Sequence, residues 1–324
     1  MKRIITLTLV ALSVFGVFGL FAEEKSSNES TVYFTREITP EALVRIYEAL
    51  GVEPKGRVAV KISTGESSKS NHLRPALIKN LVEEVNGTLV ECNTAYKGNR
   101  FSSEEHLKAI RERGYNEIAE VDIMDIDGSI DIPVSDKKWI KFNRVGKHLA
   151  NYDFLVNLAH FKGHAMGGFG GVLKNQSIGI ASREGKVIIH TAGRYDDTDH
   201  AFSNQDGQDA FLESMAAAAQ SVHDYFKGNI VYINVMNNLS VDCDCDGHPH
   251  DPEMKDIGIL ASLDPVALDK ACLDLVFHYP SIQGDDATAL QERINRQHGT
   301  HIVDYAAGIG LGSLDYRIVD IDKK

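Results

Sequence analysis

The sequence predicts an α/β protein with a mostly parallel sheet, flanking helices and a mixed, glycine-rich loop region. Short apolar segments, at residues 57–62, 88–92 and 153–158 among others, alternate with segments whose apolar residues recur at helical spacing. Such alternation is typical of βαβ units, whose strands run parallel. A glycine-rich stretch at residues 159–183 interrupts the alternation. These observations favour one interlocked α/β unit over separable domains.

Each predicted element follows from its own pattern. Apolar runs predict strands at residues 57–62, 88–92, 121–126, 153–158, 230–235, 257–261 and, as an edge strand, 315–320. Helical spacing predicts helices at residues 74–85, 103–113, 207–226, 264–277 and 287–297. The helix at 264–277 begins with Asp264-Pro265, a favourable N-cap and first-turn pair. Residues 127–142 predict a β-hairpin with Pro133 near its bend.

The N-terminus predicts a secretory leader. Lys2 and Arg3 precede an apolar run at residues 4–22, which acidic residues follow. The alternative is an uncleaved membrane anchor, because the run approaches the roughly 18–20 residues that span a bilayer. We expect a signal peptide at 1–22, a disordered tail at 23–30 and a single unit, possessing one or two lobes, at 31–324. The mature protein is expected to be secreted to the periplasm or the extracellular space.

Composition limits the partners. The chain carries 34 basic and 46 acidic side chains, a formal net charge of −12. This balance argues against nucleic acids and anionic membranes, whose binding requires basic patches. After the leader, no apolar stretch is long enough to span a membrane. A small anionic ligand or substrate is the expected partner, and the oligomeric state stays open.

The first candidate site is a loop at residues 242–250 that holds two thiols, two imidazoles and three carboxylates. Thiolate and imidazole are preferred ligands of zinc and of softer iron, copper or nickel ions. Cys243 and Cys245 would share a side if the loop is extended. Their spacing is not a complete zinc or iron–sulfur signature, so further ligands must come from elsewhere. The expected cofactor is a metal ion or an iron–sulfur cluster, with thiol chemistry and an acidic turn without a chemical role as alternatives.

The second candidate site could supply those ligands. His160 and His164 follow the predicted strand at 153–158, at the edge where open α/β sheets bind ligands. The alternative is that both histidines are satisfied within the fold.

A glycine-rich, basic segment follows these histidines. The N–H groups around Gly170 and Gly171 could approach an anion closely. Lys174, Arg183 and Lys186 add positive charge, so a carboxylate or phosphate ligand fits this segment. Glycine used for tight packing is the alternative.

A weaker set of ligand-binding candidates contains Lys61, Arg74 and Asn93. Lys61 is a charged residue within an apolar strand, where its burial is costly without a partner. Arg74 lies at the start of a predicted helix, and Asn93 follows a predicted strand. Each alone is more often a cap or a surface residue, but a parallel sheet could gather them along one edge. The chain has no G-x-G-x-x-G run, no Walker lysine and no G-x-S-x-G elbow, so these motifs indicate neither a dinucleotide fold, an NTPase nor a serine hydrolase.

Several blocks of the chain resemble the domain-of-unknown-function 362 family over residues 57–277. They are RVAVKI, ECNTAYKGNR, NLAHFKGHAMGGFGGVLKNQSIGIASREGK, and DCDC with the later DIGILASLDPVALDKACLDLV. Many members carry a ferredoxin-like insertion with C-x-x-C repeats, which this chain lacks, so the resemblance implies no ferredoxin-type cluster. The residues at family motif positions are His160, His164, Lys174, Cys243 and Cys245. The reaction of the family is unassigned.

The block from His160 through Gly170-Gly171 to Lys174 is more distantly similar to a block of the lactate racemase family. There, a lysine anchors a nickel-pincer nucleotide and histidines act on a 2-hydroxy acid. This similarity implies that Lys174 is the anchor and that His160 or His164 is a ligand or proton carrier.

Three functions stay open at this point. The leading hypothesis is an exported metal- or cluster-dependent oxidoreductase acting on a small anionic molecule, with Cys243 and Cys245 as metal ligands and His160 or His164 completing the shell. The alternatives are an extracytoplasmic protein that binds a metal or an anionic ligand without turnover, and a 2-hydroxy-acid isomerase. The sequence does not decide whether the protein is an enzyme.

Overall fold

A computed structural model describes residues 29–280, 282 and 284–323 as an α/β fold. The strands are β1 Ser30–Thr35, β2 Val58–Lys61, β3 Gly87–Glu91, β4 Val121–Ile123, β5 Ser129–Pro133, β6 Phe142–Gly146, β7 Phe154–His160, β8 Lys162–His164, β9 Gly168–Gly170, β10 Ile230–Met236, β11 Gly258–Ser262 and β12 Tyr316–Asp320. The α-helices are α1 Pro40–Ala49, α2 Pro75–Glu84, α3 Ser103–Glu112, α4 Val172–Ser177, α5 Arg183–His190, α6 Gln208–Phe226, α7 Pro265–Phe277, α8 Thr288–Arg296 and α9 His301–Gly308.

One eight-stranded sheet organises the molecule, in the order β12-β1-β11-β10-β7-β2-β3-β4. β11 runs antiparallel to both of its neighbours, and every other neighbouring pair is parallel. Two small two-stranded sheets, β5-β6 and β8-β9, stand beside it. The predicted fold class, a mostly parallel sheet with flanking helices, is confirmed.

The alternation of side chains along the strands creates two cores. Val58 and Val60 of β2 pack on one face with residues of α1, α2 and α3, and Ala59 belongs to the core on the other face. That second core takes in α6 and α7, whose alanine-rich and aliphatic residues cover the middle of the sheet. The central strands are buried on both faces, which explains why they are nearly continuous apolar runs in the sequence.

The structure refines several predicted boundaries. β7 continues to His160, so this histidine ends a strand instead of following one. The glycine-rich stretch folds into β8, β9 and α4, and α5 follows it directly. In the hairpin, Pro133 pairs with Phe142 at the end of β5, and the bend lies at residues 134–141.

At the N-terminus, the leader at 1–22 and most of the predicted tail lie outside the described residues, whereas Ser30 already begins β1 beside β12. Among the described residues, none of the helices combines the length and the apolar character that a membrane crossing requires.

Candidate functional site

The candidate site is a cavity at the carboxyl ends of parallel strands. Lys61 is the last residue of β2, Glu91 ends β3, and β7 leads to β8. β10 leads into the loop that holds Cys243 and Cys245, hereafter the cysteine loop (residues 237–257). The cavity has a volume of about 470 Å³, which lies within the range of about 300–1,000 Å³ common for small-molecule sites. Ligands of open α/β folds bind at this edge of the sheet.

Cationic side chains outnumber carboxylates in the cavity lining. The cations are Lys61, Arg100, Lys162, Lys174 and Lys186. The carboxylates are Glu91 and Asp244. Glu91 accepts from Lys61 at 3.1 Å and lies 3.6 Å from Arg100, and Asp244 pairs with Lys162 at 2.7 Å. Among the described residues, no carboxylate lies within ion-pair distance of Lys174 or Lys186. The lining therefore carries excess positive charge in a chain whose net charge is −12.

The cysteine loop packs directly on β8. The backbone N–H of Gly163 donates to the carbonyl oxygen of Ser240 at 2.8 Å. A Cβ at position 163 would collide with the backbone of Val241, so only glycine permits this approach. The two segments that the sequence marks as separate candidates therefore meet in one site.

Three side chains form a group that could hold a metal ion. The ligand atoms of His164, Cys243 and Cys245 all lie within 4.8 Å of one another, and all three residues line the cavity. Cys243 and Cys245 are joined as a disulfide in this structure, with their Cα atoms 5.2 Å apart. Imidazole and thiolate sulfur are the donors that zinc and softer ions prefer. Metal binding at this group therefore requires the reduced pair.

His164 is held by the turn that follows it. Its Nδ1 accepts hydrogen bonds from the backbone N–H groups of Gly167 at 2.8 Å and Met166 at 3.2 Å. Burial lowers the pKa of His164 well below its ordinary value, and the charge of Lys174 adds to this effect. The imidazole is therefore neutral at neutral pH, as a metal ligand or a proton acceptor must be.

His160 is not part of this group. Its Nδ1 lies 2.7 Å from the carboxylate of Asp244, and its Nε2 lies 2.6 Å from the carbonyl oxygen of Asn237. Both ring nitrogens are therefore engaged by the protein, and neither is free to bind a metal. Burial alone would raise the pKa of Asp244, but Lys162 and His160 hold it well below its usual range. His160 therefore orients the cysteine loop through Asp244.

Lys174 projects from α4 into the cavity. No hydrogen bond or ion pair of its ammonium group is found among the described residues. Burial lowers the pKa of Lys174 to about 7, and the positive charge of Lys162 adds to this effect. Lys186 differs, because its ammonium donates to the carbonyl oxygen of Ala181 at 2.5 Å. Lys174 is therefore the cavity cation with the greatest capacity for a new partner.

Gly170 and Gly171 line the cavity, but the N–H groups that follow them are occupied. The carboxylate of Asp269 accepts from the N–H groups of Val172 at 2.9 Å and Leu173 at 3.0 Å. A Cβ at position 171 would collide with this carboxylate. The N–H groups at the start of α4 are thus hydrogen-bonded within the protein. The positive charge that faces a ligand comes from the lysines.

Three predicted ligand-binding residues lie outside the cavity lining: Arg74, Asn93 and Arg183. One guanidinium nitrogen of Arg74 donates to His72 at 2.9 Å, and the Asn93 amide donates to Ser103 at 2.9 Å. The guanidinium of Arg183 stacks 4.4 Å above the ring of Phe101. The other four predicted ligand-binding residues, among them Lys61, line the cavity. The ammonium of Lys61 is engaged by Glu91 and Asn175.

The sequence also left residues of this cavity unassigned. His190 lines the cavity and stacks on Phe211, with the ring centroids 4.6 Å apart. Burial lowers the pKa of His190 to about 3, and the positive charge of Lys174 adds to this effect. Glu91 and Arg100 complete the charged wall. The signal for Glu91 is the one that singled out Lys61, a charged residue in an apolar strand. Arg100 lies in a loop and has no such signal.

Comparison with known proteins identifies the family of the chain. Two solved structures show weak similarity. A lactate racemase apoprotein from Thermoanaerobacterium thermosaccharolyticum is 15% identical with a TM-score of 0.45, and the match covers 75% of this chain and 56% of that one. A protein from Thermotoga maritima is 15% identical with a TM-score of 0.44, and the match covers 72% of this chain and 57% of that one. The chain thus spans just over half of the length of each, and neither similarity assigns a function.

No curated protein matches the chain significantly. The family described as Domain of unknown function (DUF362) matches residues 58–274, which include all the residues that line the cavity and the whole cysteine loop. The chain therefore belongs to the DUF362 family.

Proposed function

We propose that the protein is a metal-dependent redox enzyme that acts on a small anionic molecule bound in the cavity. The observation that carries the proposal is the position of Lys174. Its ammonium faces the same cavity as His164, Cys243 and Cys245 and has no partner among the described residues. An anion paired with Lys174 would lie beside the metal-binding group, as a substrate of a metal centre must.

The donor set fits a single ion better than a cluster. His164, Cys243 and Cys245 give three ligands, and a catalytic single-ion site such as that of zinc typically has three protein ligands and one open position. Zinc does not change its oxidation state, so redox turnover at this site requires a redox-active ion such as iron or nickel. Iron–sulfur clusters usually take four cysteine ligands. In the described part of the chain, the other cysteine of the cavity, Cys92, donates its S–H to the carbonyl oxygen of Ile180 and lies outside the metal-binding group.

The proposal includes export, on the strength of the leader-like residues 1–22. An exported protein would meet an oxidising environment, in which cysteine pairs readily form disulfides. N-terminal sequencing of protein recovered outside the cytoplasm would test both export and cleavage. Protein retained in the cytoplasm at full length would contradict this part of the proposal.

The main experiment measures metal and anion binding on the same samples. Protein purified with a reductant and without oxygen is analysed for iron, nickel and zinc, beside the double variant Cys243→Ala/Cys245→Ala and the control Cys272→Ala. Cys272 is buried in the core away from the cavity, so its substitution tests for nonspecific loss. We expect stoichiometric metal in the native chain and the control, and none in the double variant. Equal metal contents in all three would refute the proposed site.

Anion binding is tested by calorimetry with lactate and with inorganic phosphate. Lys174→Met should abolish the binding, whereas Lys108→Met, at a side chain that is 71% exposed, should preserve it. Ligand that binds and is recovered unchanged under all redox conditions would favour a binding protein without turnover.

A second candidate function is the isomerisation of a 2-hydroxy acid by proton transfer. The observation that favours it is that His190, whose buried Nδ1 has no hydrogen-bond partner among the described residues, lines one cavity with Lys174. Neutral imidazoles accept protons, and a lysine charge can hold a carboxylate. The motif similarity of the segment from His160 to Lys174 to lactate racemases supports the same reading. Deuterium uptake by D-lactate or L-lactate in heavy water, with the metal-loaded protein, would separate this function from redox turnover.

A further inference from the structure

Cys243 and Cys245 offer the cavity two mutually exclusive arrangements. As a disulfide, their sulfur atoms are bonded to each other. As thiolates, the same atoms complete a metal-binding group with His164. The Cα separation of 5.2 Å lies within the roughly 4.4–6.8 Å usual for disulfides, so the loop accommodates the bond.

The contacts that hold the two cysteines in position are independent of whether the disulfide is formed. Asp244, between the cysteines, is held by Lys162 and His160, and Gly163 is hydrogen-bonded to the start of the cysteine loop. These contacts do not involve either sulfur. The loop should therefore keep its place when the disulfide opens, with both sulfurs still at the cavity wall.

His164 also has a role in both arrangements. With the disulfide formed, its Nδ1 accepts from two backbone N–H groups, so the neutral ring carries its proton on Nε2. Binding of an ion through Nε2 requires that proton to leave, or the ring to turn. Metal binding must therefore change the position of the ring proton of His164 or the orientation of its ring.

We propose that Cys243 and Cys245 are a reversible redox pair, and that their oxidation by a small-molecule disulfide switches off metal binding at the cavity. This inference rests on the proposed function in so far as the reduced site binds a metal. In the oxidising step, one thiolate attacks the small disulfide and releases one thiolate. The second thiolate then attacks the mixed disulfide and releases the other thiolate. Two electrons pass from the protein to the small disulfide, each released thiolate takes one proton from solvent to become the thiol, and any bound ion leaves.

The cavity itself favours such an oxidant. Cys245 is partly exposed and Cys243 is 5% exposed, so Cys245 is the sulfur that an incoming molecule reaches first. The surplus of lysine charge attracts an anionic disulfide such as oxidised glutathione, which carries carboxylates.

The test is a redox series with zinc as the probe. The native protein is equilibrated in glutathione buffers of stepped composition, its thiols are trapped by N-ethylmaleimide under denaturing conditions, and the trapped cysteines are counted by mass and located by peptide mapping. Of the four cysteines, we expect four trapped under reducing conditions and two, Cys92 and Cys272, under oxidising conditions. Zinc binding, measured on untrapped samples of the same series, should disappear with the same midpoint.

Four outcomes are distinguishable. Four trapped thiols throughout the series would overturn the redox pair and leave the proposed metal function standing. Two trapped thiols with undiminished zinc binding would overturn the switch. Reduced protein that binds neither zinc, iron nor nickel would overturn the proposed function and the switch together. Coincident midpoints that vanish in Cys245→Ser, with circular dichroism unchanged, would support the proposal.

Discussion

Lys162 and Asp244 form a buried ion pair, with Nζ and Oδ2 2.7 Å apart, that ties β8 to the cysteine loop. Lys162 lies two residues before His164, and Asp244 lies between Cys243 and Cys245. The pair therefore joins the backbone segments that carry all three ligand atoms of the metal-binding group. His160 reinforces it from the other carboxylate oxygen, also at 2.7 Å.

The first prediction concerns this carboxylate. Asp244→Asn removes the negative charge between Lys162 and His160, and leaves at least one buried cation without its partner. Breaking a buried ion pair on one side typically costs about 3–5 kcal/mol, so the free energy of unfolding should fall by about that amount. Urea denaturation measures it. Asp246→Asn, at an exposed position of the same loop, should change it by less than about 0.5 kcal/mol. Equal effects of the two substitutions would contradict the role given to Asp244.

The second prediction concerns the contact between the two segments. Gly163→Ala places a methyl group against the backbone of Val241, which must move away from β8. We expect zinc affinity of the reduced protein to fall at least about tenfold although every ligand atom is retained. Gly308→Ala is the control, because no atom lies within 4 Å of a Cβ at that position. Calorimetric zinc binding unchanged in Gly163→Ala would show that the two segments do not need this contact.

The fold was largely predictable because its central strands are buried on both faces. Apolar runs such as the one that contains Val58 and Val60 mark strands directly, and Asp264-Pro265 marks the start of α7. The pairing of β1 with β12 could not be predicted from a local sequence pattern. It joins segments from opposite ends of the chain, and their local patterns do not encode which strand lies beside which.

The candidate site was predictable in its residue types and not in its contacts. The chemistry of Cys243, Cys245 and His164 is visible in the sequence, because thiols and imidazoles are uncommon together. The different roles of His160 and His164 are not visible, since they depend on Asp244, which reads as one of three acids in a solvated turn. Only the folded chain shows that this acid is buried between Lys162 and His160.

The third prediction separates the structural and ligand roles of His164. His164→Ala leaves the N–H groups of Met166 and Gly167 without their acceptor, which should lower the free energy of unfolding by about 1–3 kcal/mol. His164→Asn places an amide oxygen near the position of Nδ1 and should restore most of that stability. Neither variant should bind zinc as the reduced native chain does. Asn-variant protein that binds zinc with native affinity would exclude His164 as a ligand.

The fourth prediction is the pH dependence of anion binding. Because the pKa of Lys174 is about 7, its ammonium is charged below that pH and neutral above it. The affinity for lactate should therefore be constant at lower pH and fall by up to about tenfold per pH unit above 7. His190, whose pKa is about 3, stays neutral throughout this window. Lys174→Arg should keep the affinity through pH 9, and calorimetry at stepped pH compares the two proteins.

The fifth prediction is that Lys174 destabilises the folded protein. The pKa of Lys174 is about 7 in the folded chain, against an ordinary value of 10.5. Between these two pH values, the unfolded chain holds a proton on Lys174 that the folded chain lacks. The contribution of Lys174 to the free energy of unfolding therefore rises with pH in this window. Lys174→Met removes a charge that is partly buried and should raise the free energy of unfolding by about 1–3 kcal/mol at pH 6.5. The difference from the native chain should shrink as the pH approaches 10.5. Urea denaturation at pH 6.5 and 9.5 measures it, with Lys108→Met as the control. A Met variant less stable than the native chain at pH 6.5 would mean that Lys174 has a stabilising partner, and that its charge is not reserved for a ligand.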